Sequence, residues 1–345
     1  MYDLNQIVGP LIEWYQMNRR DLPWRHNPTP YRVWISEIML QQTRVDPVIP
    51  YYNRFMDELP DVYALANVSE EKLMKLWEGL GYYSRARNLQ KAAKQIVIER
   101  AFPSDFEGWL KLPGIGEYTA GAICSIALGL PTPAVDGNVL RVISRLKGSF
   151  EDITLASTKK TMTSELKTVY PEGYTSEFTQ GLMELGALIC LPNGSPLCEA
   201  CPLLPHCEAY KNNLIDRIPV KPEKKKRKSE DKTVLILRYN NKVALHQRPA
   251  HGLLARLWEF PNLPELCDVE SLKNEFQPLN IKTVGESLHI FSHIEWHMVG
   301  YDLVLKSYDD RFEWFSIDDV LHHKAIPTAF KKYTDYLKEI RFEEI

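Results

Sequence analysis

The chain has 345 residues, of which 44% are hydrophobic and 25% charged, enough to build two or three domains with apolar cores. Its formal net charge of −3 does not by itself indicate a nucleic-acid partner. The amino terminus lacks the basic and apolar segments of a signal peptide, and no run of about 18 apolar residues could cross a membrane. We therefore expect an intracellular, cytoplasmic protein whose cysteines stay reduced.

Residues 1–217 are predicted to be mainly helical, because apolar residues recur there at spacings of three and four. The segments that show this pattern are 31–42, 69–80, 85–100, 117–130, 137–148 and 176–190. Ser69 stands where the N-cap of the second segment is expected. Short stretches rich in Pro, Gly and Asp separate the helices.

A basic segment follows the helical region. Residues 221–232, KPEKKKRKSEDK, contain seven Lys or Arg and three Asp or Glu, a net charge of +4. Such a run is most often a solvated linker, and a strap that faces phosphate groups is the alternative. We assign residues 218–232 as a basic linker.

Residues 233–345 show a different pattern, typical of an α+β domain. The segment 233–248 alternates polar and apolar residues on either side of Asn240-Asn241, as a β-hairpin does. Residues 286–306 contain two more strand-like runs, and residues 327–340 form a helical pattern.

Four of the six cysteines, Cys190, Cys198, Cys201 and Cys207, lie within 18 residues. Four thiolates suit either a tetrahedral zinc ion or an iron–sulfur cluster. Structural zinc sites usually have two Cys-x2-Cys pairs and this chain has one here, so the spacing favours the cluster. The isolated Cys124 and Cys267 are interpreted as ordinary thiols.

The segment LPGIGEYTAGAI, residues 112–123, places two glycines directly before a predicted helix. Gly114 and Gly116 leave the backbone N–H groups of the turn uncovered, and the helix N-terminus points the same way. Together they could hold a phosphate without any lysine. A plain turn between two helices is the alternative.

These motifs, taken in order, resemble the helix–hairpin–helix DNA glycosylases of the endonuclease III superfamily, and within it the branch that removes adenine. The order is a helix, the LPGIG turn, a second helix, AVDGN at 134–138 and the clustered cysteines. Further matching strings are DLPWR (21–25), WISEIMLQQTRV (34–45), EGLGYYSRARNL (78–89) and LWEFP (257–261). The resemblance spans essentially the whole chain. It departs from the family between Cys190 and Cys198, which seven residues separate where the family usually has six, so that one loop is expected to be longer.

The resemblance implies a multidomain fold. An all-α helix–hairpin–helix glycosylase domain would occupy residues 1–217, with a six-helix module at about 27–132 and an iron–sulfur module made of 1–26 and 133–217. A C-terminal α+β Nudix-like domain that recognises 8-oxoguanine would occupy residues 233–345. The four clustered cysteines would hold a [4Fe–4S] cluster.

The implied activity is that of a monomer that acts on double-stranded DNA and removes adenine mispaired with 8-oxoguanine or guanine. Bifunctional members of the superfamily carry a Schiff-base lysine at the position of Tyr118, and a tyrosine cannot form an imine. A monofunctional glycosylase is therefore expected. The alternatives are a pyrimidine-lesion glycosylase and lyase of endonuclease III type, and a non-catalytic iron–sulfur DNA-binding protein.

Two carboxylates can support hydrolysis of the N-glycosidic bond, one as the acid and one facing the sugar cation. Glu37 lies in an apolar helical segment, where burial would raise its pKa and keep it protonated. Outside this context a lone Glu would more often be an exposed helix residue. Asp136 stands just before a helix and could also be its N-cap. By resemblance Asp136 faces the sugar, and Asn138 and Tyr118 are its hydrogen-bonding neighbours.

The remaining roles are also implied by the resemblance. Residues that match the adenine pocket are Arg20, Trp24, Arg25 and Gln180. The target base must leave the stack, and side chains inserted into the duplex offset part of that cost. The residues that match this DNA-contacting set are Gln42, Thr43, Leu80 and Tyr82, with Gly114 and Gly116 in the phosphate-binding turn.

The second domain resembles a Nudix fold but lacks the Nudix box, so no magnesium site or pyrophosphate chemistry is expected there. Phe291, Ser292 and His293 match the loop that tests for 8-oxoguanine in the family. A Ser/His pair can hydrogen-bond to the edge of a base that carries an N7 hydrogen and an O8. Without the resemblance, these three residues would be interpreted as part of a strand.

Overall fold

The computed structural model describes residues 2–222 and 226–343, without the side chains of 341–343. Residues 223–225 of the predicted basic linker lie outside the described residues. Within the described ranges, no helix has the length and apolar character needed to span a membrane.

The amino-terminal part of the chain is helical, as its periodicity predicted. Its α-helices are α1 Val8–Asn18, α2 Pro23–His26, α3 Pro30–Leu40, α4 Val45–Glu58, α5 Val62–Asn67, α6 Glu70–Leu76, α7 Ser84–Glu99, α8 Phe106–Leu110, α9 Glu117–Ala127, α10 Gly137–Lys147, α11 Ala156–Lys167, α12 Thr175–Leu188 and α13 Glu208–Lys211. Ser69 caps α6 by accepting the Lys72 N–H, as expected. Thr29 caps α3 in the same way, and Pro30 occupies its first turn.

The core that supports the cavity described below lies between α1, α10 and α12. Leu11, Tyr15, Ile143 and Phe178 are all buried in one apolar cluster. Each comes from the apolar stripe of its helix, which recurs at three- and four-residue spacing. The cluster fixes α10 and α12 against each other and so places the residues at the start of α10.

The carboxyl-terminal part contains a seven-stranded sheet. Its strands are β1 Lys228–Tyr239, β2 Lys242–Gln247, β3 Trp258–Glu259, β4 Asn262–Leu263, β5 Asn280–Ile290, β6 Ile294–Val304 and β7 Glu313–Ser316, and its helices are α14 Val269–Phe276, α15 Ile317–His322 and α16 Lys331–Glu343. The main order is β3-β2-β1-β6-β5, with β4 added to β1 and β7 to β2. The predicted hairpin is confirmed: Asn240 and Asn241 both have positive φ between β1 and β2.

The basic linker is shorter than predicted. Strand β1 begins at Lys228, so residues 228–232 pair with β6 instead of connecting the domains. At the other end, Ile218 is buried, and the Val220 carbonyl accepts a hydrogen bond from the Ile153 N–H at 3.2 Å. Both ends of the segment are therefore ordered by backbone pairing, which charge composition does not indicate.

The chain divides into two compact units, residues 1–67 with 88–223 and residues 68–87 with 224–345. The segment 68–87 therefore groups with the sheet, although the predicted boundary near 217 placed it in the helical domain. Polar contacts account for this: the Lys324 ammonium pairs with Glu71 at 2.6 Å, and the Ile326 N–H donates to Glu78 at 2.8 Å. These contacts join residues about 250 positions apart and leave no local pattern in the sequence.

Candidate active site

A cavity of about 920 Å³ opens in the first unit, between α2, α3, α9, α10 and α12. All of the predicted catalytic and adenine-pocket residues line it: Arg20, Trp24, Arg25, Glu37, Tyr118, Asp136, Asn138 and Gln180. Gln42 and Thr43 also line it. Segments far apart along the chain thus contribute to one concave site, which is large enough for a small ligand.

Glu37 lies in the wall of this cavity and is only 6% exposed. It belongs to α3, whose other side chains are largely buried, so the apolar sequence around Glu37 correctly indicated burial. Removal from water raises its pKa to about 7, while the hydrogen bond from Tyr118 acts in the opposite direction. A carboxyl group with such a pKa carries its proton at near-neutral pH and can act as an acid.

The hydroxyl of Tyr118 donates a hydrogen bond to Oε2 of Glu37 at 2.6 Å. This corrects the expectation that Tyr118 is a hydrogen-bonding neighbour of Asp136: the charge of Asp136 acts on Tyr118, but the Tyr118 hydroxyl donates to Glu37. Burial raises the pKa of Tyr118 well above its usual value, so it stays a donor. Because the hydroxyl occupies Oε2, Oε1 is the oxygen left to carry a proton toward a ligand.

Asp136 is both an N-cap and a cavity residue. Its Oδ1 accepts the Val139 N–H at 2.8 Å at the start of α10, and its Oδ2 accepts the Asn138 amide at 2.9 Å. Burial raises the pKa of Asp136, and these hydrogen bonds, which favour the charged form, work against the rise. The predicted pairing of Asp136 with Asn138 is therefore present.

Asn138 is held in turn by Arg141. The Arg141 guanidinium donates to Oδ1 of Asn138 at 3.0 Å and to the Cys190 carbonyl at 2.8 Å. Gly186 on α12 allows this packing, since a Cβ there would lie 2.6 Å from the Cβ of Asn138. A continuous chain of hydrogen bonds thus runs from Asp136 to the first of the clustered cysteines.

Comparison with known proteins shows which family shares this sequence. The family described as HhH-GPD superfamily base excision DNA repair protein matches residues 35–172, and the NUDIX domain family matches residues 233–336. The adenine DNA glycosylase of Buchnera aphidicola subsp. Schizaphis graminum is 33% identical over 98% of this chain and 99% of its own length. The chain belongs to the adenine DNA glycosylase (MutY) family. The human adenine DNA glycosylase is also 33% identical, over 94% of this chain and 72% of its own length.

Solved structures agree with this family. A thermostable thymine-DNA glycosylase aligns with a TM-score of 0.55 at 28% identity, over 60% of this chain and 97% of its own. Endonuclease III in a non-covalent DNA complex aligns with a TM-score of 0.52 at 26% identity, over 62% of this chain and 99% of its own. The predicted fold class, a helix–hairpin–helix glycosylase domain followed by a Nudix-like domain, is confirmed.

The LPGIG turn joins α8 to α9. Gly114 has φ +78°, and a Cβ there would lie 2.6 Å from the Cβ of Asn88, so only glycine fits. Gly116 is the N-cap of α9, and a Cβ there would meet nothing within 4 Å. Gly114 thus shapes the turn, while Gly116 keeps the backbone before α9 open.

Two of the residues that match the family's DNA-contacting positions have unusual backbones. Gln42 has φ +59° and Tyr82 has φ +46°, values that non-glycine residues seldom adopt and that concentrate at functional sites. Both side chains are exposed, Tyr82 to 48%. Leu80 differs from the expectation: it is 5% exposed and packs inside its unit, so it does not project beside Tyr82. Thr43 is half-buried on the cavity wall.

The four clustered cysteines are half-buried free thiols, whereas Cys124 is buried and Cys267 lies in the other unit. Arg145 contacts two of them, since its guanidinium donates to Sγ of Cys190 at 3.3 Å and its carbonyl accepts from the Cys207 thiol at 3.6 Å. Burial and the sulfurs of the other three cysteines raise the pKa of Cys201 to about 12. Across the described residues, no three Cys, His, Asp or Glu side chains come close enough to bind a single metal ion. The seven residues between Cys190 and Cys198 form a loop closed by the Leu197 N–H donating to the Ile189 carbonyl.

Phe291, Ser292 and His293 form the turn between β5 and β6, not part of a strand. The Phe291 ring packs edge-on against Trp296, with centroids 4.8 Å apart, and so anchors the turn. Ser292 and His293 are exposed. The Ser292 hydroxyl lies 2.5 Å from the Tyr82 hydroxyl in the same compact unit.

Among the lining residues that the sequence did not predict, one is a buried carboxylate. Glu184 on α12 is 1% exposed and binds the guanidinium groups of Arg20 and Arg25. The signal that could have indicated it is the pair of arginines predicted to lie in an enclosed pocket, because buried guanidinium groups need a carboxylate partner.

Proposed function

We propose that this protein, a DNA glycosylase of the adenine-excising family, removes adenine mispaired with 8-oxoguanine or guanine in double-stranded DNA and acts as a monomer. The observation that carries the proposal is the pairing of Glu37 with Tyr118 in the same cavity as Asp136. Its DNA substrate would place the protein in the cellular compartment that holds DNA.

In the proposed reaction the adenine leaves the stack and enters the cavity. Glu37 transfers its proton to N7 of adenine, the bond between C1′ and N9 breaks, and its electron pair leaves with the base. The sugar then carries an oxocarbenium-like positive charge, which the Asp136 carboxylate stabilises. Water adds to C1′ and gives up a proton to the Glu37 carboxylate, so the enzyme returns to its starting state.

Tyr118 supports a monofunctional reaction. Its phenol cannot form an imine with the sugar, and its hydrogen bond to Glu37 gives it a different task, that of orienting the acid. No other step in the reaction cleaves the sugar–phosphate backbone. The expected product is a duplex with an intact strand and an abasic site.

Discrimination of the opposite base is assigned to Ser292 and His293. Their exposure at the turn between β5 and β6, with Phe291 anchored against Trp296, supports a reading role. The hydroxyl pair of Tyr82 and Ser292 supports joint placement of the intercalating and reading side chains. We further propose that Gln42 and Tyr82 enter the DNA stack and that the Gly114–Gly116 turn binds a backbone phosphate.

The four cysteines fit a [4Fe–4S] cluster better than a zinc ion. These four residues contain one Cys-x2-Cys pair, whereas a structural zinc site usually has two, and four thiolates are the ligand set that such a cluster would require. The four residues are half-buried free thiols, so their sulfurs would be available as ligands. Cys190, Cys198, Cys201 and Cys207 would hold the cluster. When bound, the cluster would cross-link the segment 190–207 and keep it folded.

The proposal is tested with a duplex that contains adenine opposite 8-oxoguanine. Incubation followed by alkali should nick the adenine strand, and incubation without alkali should leave it intact. A nick without alkali would indicate a lyase of endonuclease III type, and intact strands in both arms would indicate a non-catalytic protein.

A further inference from the structure

Glu184 is a buried carboxylate to which the reaction proposed above gives no task. Both of its oxygens are shared by two arginines. Arg20 donates from Nε to Oε1 and from Nη2 to Oε2, both at 2.9 Å, and its backbone N–H reaches Oε1 at 3.0 Å. Arg25 donates from Nη1 to Oε1 at 3.1 Å and from Nη2 to Oε2 at 2.9 Å. Such doubly bidentate pairing fixes both guanidinium planes.

The position of Arg25 determines that of Gln180. Nε of Arg25 donates to Oε1 of Gln180 at 2.9 Å, and Nε2 of Gln180 donates to the Ser176 hydroxyl at 3.0 Å. The Gln180 amide therefore has one orientation, set at one end by Arg25. Glu184 thus positions Arg25, and Arg25 in turn positions Gln180. All three residues line the cavity.

Glu184 also offsets positive charge next to the acid. Arg25 is the cation that acts on Glu37, and its charge lowers the pKa of that carboxyl. Tyr118 from α9 and Asp136 at the start of α10 are the other groups that act on Glu37, and Asp46 from α4 acts on Arg20. Burial opposes ionisation of Glu184, but the arginine hydrogen bonds outweigh it and hold its pKa at about 2. Glu184 therefore remains charged wherever the enzyme works.

We propose that Glu184 is a positioning residue of this active site, which orients Arg25 and Gln180 against the extruded adenine and offsets the positive charge beside Glu37. The inference rests on the proposed adenine excision. It assigns the two functions, orientation and charge compensation, to one side chain that need not touch the substrate.

Two substitutions separate these functions. Glu184→Gln keeps the shape and removes the charge, and Glu184→Asp keeps the charge and draws the carboxylate back by one methylene. Glu177→Gln is the matched control, because Glu177 lies on the same helix and outside the cavity lining. Thermal unfolding first establishes which variants are folded.

The measurement is single-turnover excision of adenine opposite 8-oxoguanine across pH 5.5 to 9 and across enzyme concentration, in full-length protein. Glu37 works protonated, so the rate falls as pH rises through its pKa. Glu184→Gln removes a negative charge and so leaves more net positive charge near Glu37, which lowers the pKa of Glu37. The alkaline limb of the pH–rate profile should therefore move about half a pH unit toward lower pH. At high pH the rate of this variant should fall roughly threefold more, relative to wild type, than it does at low pH. Both Glu184 variants should raise the enzyme concentration at which the excision rate is half-maximal about tenfold. Glu184→Asp should keep the wild-type alkaline limb, and Glu177→Gln should match wild type in both readouts.

The inference would be overturned if Glu184→Gln folds and shows both the wild-type alkaline limb of the pH–rate profile and the wild-type half-saturating enzyme concentration. If that variant does not fold, a Glu184→Asp protein with wild-type half-saturation would overturn it instead. The wild-type arm reports separately on the proposed function, since failure of wild type to release adenine would contradict excision itself.

Discussion

The hydroxyl of Tyr118 donates a hydrogen bond to Oε2 of Glu37 at 2.6 Å, and this contact helps to set the pKa of the proposed acid. Burial raises the pKa of Glu37, and the bond from Tyr118 lowers it by favouring the charged form. Together with the opposing charges of Asp136 and Arg25, these effects hold the pKa at about 7, within the range where the group can both keep a proton and release it.

Removing this hydrogen bond should change the pH dependence of excision. In Tyr118→Phe the charged form of Glu37 loses a donor, so its pKa should rise and the alkaline limb should move upward by about half a unit to one unit. A pH profile of single-turnover excision measures this directly. An alkaline limb at the wild-type position would show that the contact does not act on the group that titrates.

Asp136→Asn should abolish most of the activity while leaving the helix intact. Asparagine caps helices about as well as aspartate, so the bond to the Val139 N–H should persist, whereas the amide cannot neutralise the sugar cation. We expect excision to slow by roughly 10²–10³-fold with little change in melting temperature. Asp268→Asn is the matched control, because Asp268 caps α14 in the second unit and should leave excision unchanged. Near-normal excision by Asp136→Asn would remove Asp136 from the mechanism.

These contacts differ in how far the sequence could predict them. The apolar neighbours of Glu37 indicated its burial, the residues after Asp136 indicated a cap, and Asn240-Asn241 indicated a hairpin, since each depends on local pattern. Three features could not be predicted from pattern, because they depend on tertiary packing: the hydrogen-bond partner of Tyr118, the burial of Leu80, and the pairing of Glu184 with two arginines. Arg20 and Glu184, for example, are 164 positions apart.

The cysteine cluster should contain iron. We expect about four iron atoms per chain, the content of a cubane held by four thiolates, and a brown protein. Cys198→Ser should lower the iron content and weaken DNA binding, because the segment 190–207 would lose a cross-link, and Cys267→Ser is the control outside the cluster. One zinc per chain without iron would contradict the cluster.

The turn between β5 and β6 should control the preference for the opposite base. Ser292→Ala combined with His293→Ala removes two hydrogen-bonding groups, each worth roughly 0.5–1.5 kcal/mol, so preference for 8-oxoguanine over guanine should fall about five- to a hundredfold. The measurement is competition between the two duplexes at one salt concentration, since phosphate contacts depend on salt.

A chain truncated near residue 220 tests the same preference by removing the whole second domain. It should retain excision and lose most of the preference, but it also removes the packing partners of residues 68–87, such as Lys324 and Ile326. The double substitution in the full chain therefore gives the cleaner result. An unchanged preference ratio in that variant would show that the turn does not read the opposite base.

In the proposed reaction Glu37 supplies the proton that makes adenine a leaving group, and Glu37→Gln tests this role most directly. Glutamine keeps the size of the side chain and can still accept the Tyr118 hydrogen bond, but it has no acidic proton to transfer. Binding and single-turnover excision are measured on one duplex with adenine opposite 8-oxoguanine. We predict binding close to that of wild type and no detectable release of adenine. Near-normal release of adenine by Glu37→Gln would contradict the account.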